Sequence, residues 1–200
     1  MYDTFSVYNR FTNISDFSIN IINYLIDHNE TIWKLLKYDT NDALSKPSLT
    51  ADEKTDLIYS GMGSVDNLID YHDIEKEYRI FTKGMSSDAI EEYCSQLHIF
   101  LGKVSPQNRV TGRVDMYIQI ISHNAILVLD NCRNRNEIFL QQIINTLNGA
   151  TIEGRTQLSF NEENGSSNQA RWYKFAEKWY EGYQLVMSCM TSTTSKNAGE

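Results

Sequence analysis

The chain has 200 residues, 41% hydrophobic and 22% charged, which suits one globular domain with its own core. A formal net charge of -8 argues against a general nucleic-acid binder, which needs a basic footprint on phosphates. Cys94, Cys132 and Cys189 are too far apart and odd in number for a disulfide frame, no apolar run is long enough to span a bilayer, and the first residues carry no signal-peptide pattern.

Residues 1–15 are polar with scattered aromatics, Tyr2, Phe5, Tyr8 and Phe11, and read as an N-terminal arm or an edge strand. Ser15 or Asp16 is placed to cap a helix. Its apolar stripe is Phe17, Ile21 and Leu25, with Ile22 and Ile26 alongside, and it runs to about His28. Asn29-Glu30-Thr31 interrupts it, and 32–38 resumes as a short helical piece. Residues 39–49 form a polar loop. Thr50 and Glu53 have capping-box spacing, so a short helix to about Tyr59 is expected. Gly61-Met62-Gly63 reads as a turn, since a phosphate loop needs a preceding strand and a Lys-Ser/Thr tail. Residues 65–77 are acidic and exposed, 78–82 read as the first core strand, and 83–93 as a loop or short helix.

Residues 94–149 are the centre of the chain. Ser95, Leu97, Ile99 and Leu101 alternate with Gln96, His98 and Lys103. After a break at Ser105-Pro106-Gln107-Asn108, Val114, Met116, Ile118 and Ile120 alternate with Arg113, Asp115 and Gln119. Two period-2 runs around a short polar break predict a long hairpin with one covered and one polar face. Residues 125–129 read as a short buried strand. A helix over 136–148 follows, closed by Gly149, and is the natural cover for the apolar face. Residues 156–160 predict another strand and 161–169 a flexible loop. Trp172, Phe175, Ala176 and Trp179 share a helical face, so a short helix to about Tyr180 is expected. A strand over 183–190 comes next, and one continuous helix is the alternative. Residues 191–200 are expected to be a disordered tail. The fold class is therefore α+β, an antiparallel or mixed sheet with a long hairpin covered by helices. Residues 16–190 form one domain, with a helical part over 16–60 and a sheet-and-helix core over 77–190.

Motifs for chemistry are sparse. His28, His72, His98 and His123 include no His-x-x-x-His pair, and no Cys-x-x-Cys is present. His98 and His123, on or beside adjacent strands, could approach one another with Cys94 and Cys132 nearby, but ordinary strand histidines explain them better. No nucleophile elbow and no dinucleotide fingerprint appears. No catalytic, metal or cofactor site is assigned, and a non-enzymatic role is expected. Arg133 and Arg135 bracket the start of the central helix, where a cation is disfavoured, so their placement needs a reason. An acidic partner surface is one reason, and locally paired arginines are another. Candidate interface residues are Arg109, Arg113, Arg133, Arg135, Trp33 and Trp172.

The order of elements, with the segments 31–38 (TIWKLLKY), 42–50 (DALSKPSLT), 116–124 (MYIQIISHN), the Arg135-Asn136-Glu137-Ile138 helix start and its Leu147-Asn148-Gly149 end, resembles the tail-terminator and head–tail joining proteins of tailed bacteriophages. The likeness spans roughly 17–190. It implies a structural virion protein of the neck, made in the host cytoplasm, whose copies form a ring joining the portal to the tail. Implied partners are other copies of the chain, the portal or an adaptor, tail proteins and passing genomic DNA without specific binding, with no membrane. The loops 104–112 and 161–171 would be insertion or lumen segments of such a ring. A portal-bound stopper or adaptor is the alternative, a small hydrolase using His98 or His123 another, and an acidic regulatory module that binds one host protein a third.

Overall fold

In the computed structural model, residues 14–59, 78–84, 93–107, 111–152, 157–160, 168–175 and 179–192 are described. Helix α1 spans Phe17–His28, α2 Glu30–Lys37, α3 Ala51–Asp56 and α4 Arg135–Leu147. Strands are β1 Ile80–Phe81, β2 Ser95–Pro106, β3 Thr111–His123, β4 Ala170–Phe175 and β5 Tyr180–Ser192. They form one mixed sheet in the order β1-β2-β3-β5-β4, with β1 parallel to β2 and the other neighbours antiparallel. The α+β class follows.

The hairpin forms as its alternation predicts. Leu97, Ile99, Val114, Met116, Ile118 and Ile120 line one face, joined by Leu185, Met187 and Cys189 of β5, and all are buried. Phe17, Ile21 and Leu25 of α1, Ile32, Leu35 and Leu36 of α2, and Phe139, Ile143 and Leu147 of α4 join them in one core. Removing this apolar area from water is the main force holding sheet and helices together.

Local signals behave as chemistry requires. Thr50 and Glu53 make both halves of the capping box: the Thr50 hydroxyl accepts from the Glu53 N–H, and Glu53 accepts from the Thr50 N–H. Asn29 ends α1 and caps α2 by accepting from the Ile32 N–H at 3.0 Å. Its amide also donates to Gln142 and Thr146 of α4, and its backbone N–H donates to Leu25 of α1, so one residue ties three helices. The register of β2 on β3 slips between Leu101 and Lys103. There the Tyr117 ring lies over Gly102, where a Cβ would sit 2.2 Å from a ring carbon, so only glycine fits.

Several expectations are corrected. Asp16 is the first cap of α1 but makes no side-chain cap bond, being itself in a helical conformation at the end of a 3-10 turn over Ile14–Asp16. Residues 125–129 are not a strand. Asn124–Ile126 forms a 3-10 turn, and Val128 makes only an isolated bridge to Asn134. The strand over 156–160 reduces to bridges from Gln157 and Ser159. Residues 170–175 are strand, not helix, because pairing with β5 satisfies their backbone. Thr191 and Ser192 belong to β5 and not to a tail. The arm over 1–13, the 61–63 turn, the acidic 65–77 stretch, His72, Arg109 and residues 193–200 lie outside the described residues.

Candidate functional site

Arg135 is the first residue of α4 and is fully buried. Its guanidinium donates to four carbonyl oxygens: Ile126 at 2.9 Å, Leu35 at 2.8 Å, Tyr38 at 3.0 Å and Thr40 at 2.6 Å. Leu35 and Tyr38 lie at the C-terminal end of α2, where carbonyls lack helical partners. The cation at the start of α4 therefore caps the end of α2, which answers the question its position raises. Beside it lies the carboxyl of Asp39. Burial raises its pKa above the usual carboxylate range, against the pull of Arg79, Arg135 and a bond from the Ser95 backbone. Burial also lowers the Arg135 pKa, with Asp39 acting against it.

Two further interface candidates are interior as well. Trp33 is fully buried, with its indole N–H donating to the Leu25 carbonyl at 3.0 Å and the Lys54 ammonium 5.8 Å from its ring. Arg113 is buried on the sheet face opposite the helices, donating to Asp115 at 2.7 Å and to the Ser188 hydroxyl at 2.8 Å. Ser188 in turn donates to Asn168, whose amide donates to the Ser159 carbonyl at 3.0 Å. Arg135, Trp33 and Arg113 are therefore structural, because each polar or aromatic group is used inside the fold. Arg133 is exposed, and Trp172, on β4, is 50% exposed.

The two strand histidines do not meet. His98 pairs with Gln119, four positions before His123 on β3, or about 13 Å along a strand. The His98 ring stacks on Phe81 with centroids 4.8 Å apart, and its Nδ1 lies 3.0 Å from the Lys83 carbonyl, which can only accept. Nδ1 therefore carries a proton. Nε2 lies 3.2 Å from the Gln96 side-chain amide. His123 sits at the far end of β3, among Tyr93, Trp179 and Tyr180. Burial lowers its pKa. Among the described residues, no group of three or more His, Cys, Asp or Glu is placed to hold a metal ion.

Among the described residues, exposed tyrosine and tryptophan side chains gather in two places. Along β4, at the sheet's margin, Trp172 and Tyr173 stand out between Arg171 and Lys174. At the end of the sheet where β2 starts and β3 ends, Tyr93 and Trp179 are each 62% exposed beside His123. Such surfaces suit protein contact, since aromatic side chains give large contact area for little lost conformational freedom.

The family model for YomW matches residues 29–189, most of the chain. The chain belongs to the YomW family. This makes it a phage-related protein. No curated protein and no solved structure matches it. In this YomW family chain, the sequence names Trp172 as an interface candidate and offers no such signal for the exposed Tyr173 and Tyr93 or for His123 beside them. Trp179 was noticed only as a helix-face residue. Trp179 and Tyr93 flank strands in the sequence, and what brings them together is the pairing of β2 and of β5 with β3, which no local pattern displays.

Proposed function

We propose that this protein is a structural virion subunit of the phage neck, whose copies close into a ring that joins the portal to the tail and surrounds the passing DNA. The observation that carries the reading is β4: a marginal strand on a helix-braced sheet, presenting Trp172 and Tyr173 between two cations. A ring needs a heterologous contact, in which one surface of each copy meets a different surface of the next. An aromatic margin on a stiff sheet is suited to be one side of such a contact. The phage-related family supports the setting. A net charge of -8 suits a conduit in which DNA slides without sticking. The role is non-catalytic in this reading: His98 is held by Phe81, Lys83 and Gln96, away from His123.

Light scattering coupled to size exclusion, with negative-stain micrographs, tests the proposal. A closed ring of fixed copy number, alone or on purified portal, is the expected result. Monomers both alone and with portal and tail-tube proteins would overturn it. A ring that forms only on portal would favour a stopper or adaptor position over a terminator.

A further inference from the structure

Charge is spread unevenly across the sheet. Residues 171–174 of β4, Arg-Trp-Tyr-Lys, are exposed one after another, so both faces of this marginal strand meet water. Arg171 donates to the neutral Gln169 side chain at 2.8 Å, and the Lys174 ammonium lies 5.9 Å from the centre of the Trp172 ring. In the register, Glu181 stands opposite Lys174 and offsets part of its charge, while Arg171 stands opposite neutral Gln184. The result is a small cationic, aromatic border on a chain of net charge -8.

The opposite border carries the opposite sign. Ile80 N–H donates to Leu57, Tyr59 N–H donates to Ile80, and Ile58 bridges Ile80 in parallel, all on the side of β1 away from β2. Helix α3 runs straight into this border, ending at Asp56. Its Lys54 turns inward, to Glu30 at 2.8 Å and the Ile26 carbonyl at 3.1 Å. Its Asp52, Glu53 and Asp56 are exposed. Bonds from Thr50 hold the Glu53 carboxyl below its usual range, with Lys37 of α2 also acting on it, so it stays ionised. With neighbouring strands roughly 4.8 Å apart, the two borders stand about 24 Å from one another.

We infer that β4 docks the α3 face of a second copy of this chain, with Arg171 and Lys174 set against Asp52 and Asp56 and with Trp172 covered by the contact. The pairing rests on the self-assembly proposed above and names both of its surfaces. Unlike surfaces on opposite borders join head to tail, which is the contact a ring is built from. Two β4 strands meeting each other would instead bring cations against cations, which is unfavourable. Complementary charge of this kind steers the encounter and fixes the register of docking.

The test mixes 15N-labelled and unlabelled full chain and treats it with a carbodiimide, which joins a lysine amine to a carboxylate it touches. Mass spectrometry should find Lys174 joined to Asp52, Glu53 or Asp56 in peptides of mixed label, hence between copies. Arg171→Glu/Lys174→Glu and Asp52→Lys/Asp56→Lys should each weaken self-association in light scattering roughly a hundredfold. All four changes in one chain should restore it, which a β4-to-β4 contact would not allow. Where a reversed variant fails to melt as a folded protein, Arg171→Gln/Lys174→Gln and Asp52→Asn/Asp56→Asn replace it, with roughly tenfold losses expected. Lys174 joined to α3 in dimers or open chains, with no closed ring, supports this contact and ends the ring reading. A ring that α3 reversal leaves intact, or whose cross-links miss α3, overturns this contact and leaves the ring reading standing. Monomers without cross-links overturn both. Binding of oligothymidine that β4 reversal abolishes, with self-association unchanged, would also overturn the inference.

Discussion

Both faces of the sheet carry buried residues, and they do so by opposite chemistry. Toward the helices, Leu97, Ile99, Val114, Met116, Ile118, Leu185 and Met187 make a continuous apolar layer. On the other face, Gln96, His98, Arg113, Asp115, His123 and Ser188 are buried too, and each is held by a named polar or ring partner. The first face tolerates exchange of one apolar group for another of similar volume. The second does not tolerate losing half of a pair, because the remaining half stays buried without its partner.

That contrast sets the expected sizes of change. Ile118→Ala, at the centre of the apolar layer, should destabilise by about 4 kcal/mol in urea unfolding, from lost burial and the cavity left behind. Arg113→Met on the opposite face should cost about 3 kcal/mol, since it strands the Asp115 carboxylate. The double variant Arg113→Met/Asp115→Leu should recover much of that loss; equal losses in single and double variants would break the distinction between the faces. Asp39→Asn has a smaller, pH-dependent effect. The Asp39 pKa is raised in the folded chain, so its contribution is fully present below the ordinary value of 3.8 and is lost as pH rises through the folded pKa. Melting temperatures from pH 3 to pH 7 should therefore move in favour of Asp39→Asn as pH rises, and a parallel pair of curves would sink this. Smallest is Trp172→Ser, half exposed on β4, which should change stability by under about 0.5 kcal/mol while weakening assembly measured by light scattering.

What the sequence made legible was what neighbouring residues decide among themselves. The hairpin alternation, the Thr50–Glu53 box and the stripe of α1 are all short-range, and each reappears in the fold. The alternation showed which chemistry each face carries, not whether water reaches it. Residues 172–175 are strand where aromatic spacings of three and four suggest a helix, and only the pairing with β5 decides between them. Arg135 was legible as a question, a cation at the wrong helix end. Its answer lies at carbonyls 95 to 100 residues earlier in the chain. The aromatic end of the sheet was less legible still: Tyr93, His123 and Trp179 belong to three separate stretches, which β2, β3 and β5 bring together.

The slip at Gly102 has a consequence for crowding. Beyond His98, the outer margin of β2 has no described neighbour, and a long bare margin invites other chains to add strands without limit. The slip, the exposed Lys103 and Pro106 all fall within that stretch. Each spoils the flat ladder that an incoming strand would copy, so one border of the sheet is blunted while β4 at the other stays smooth. Strand addition along the described part of this border is therefore disfavoured, even at high concentration.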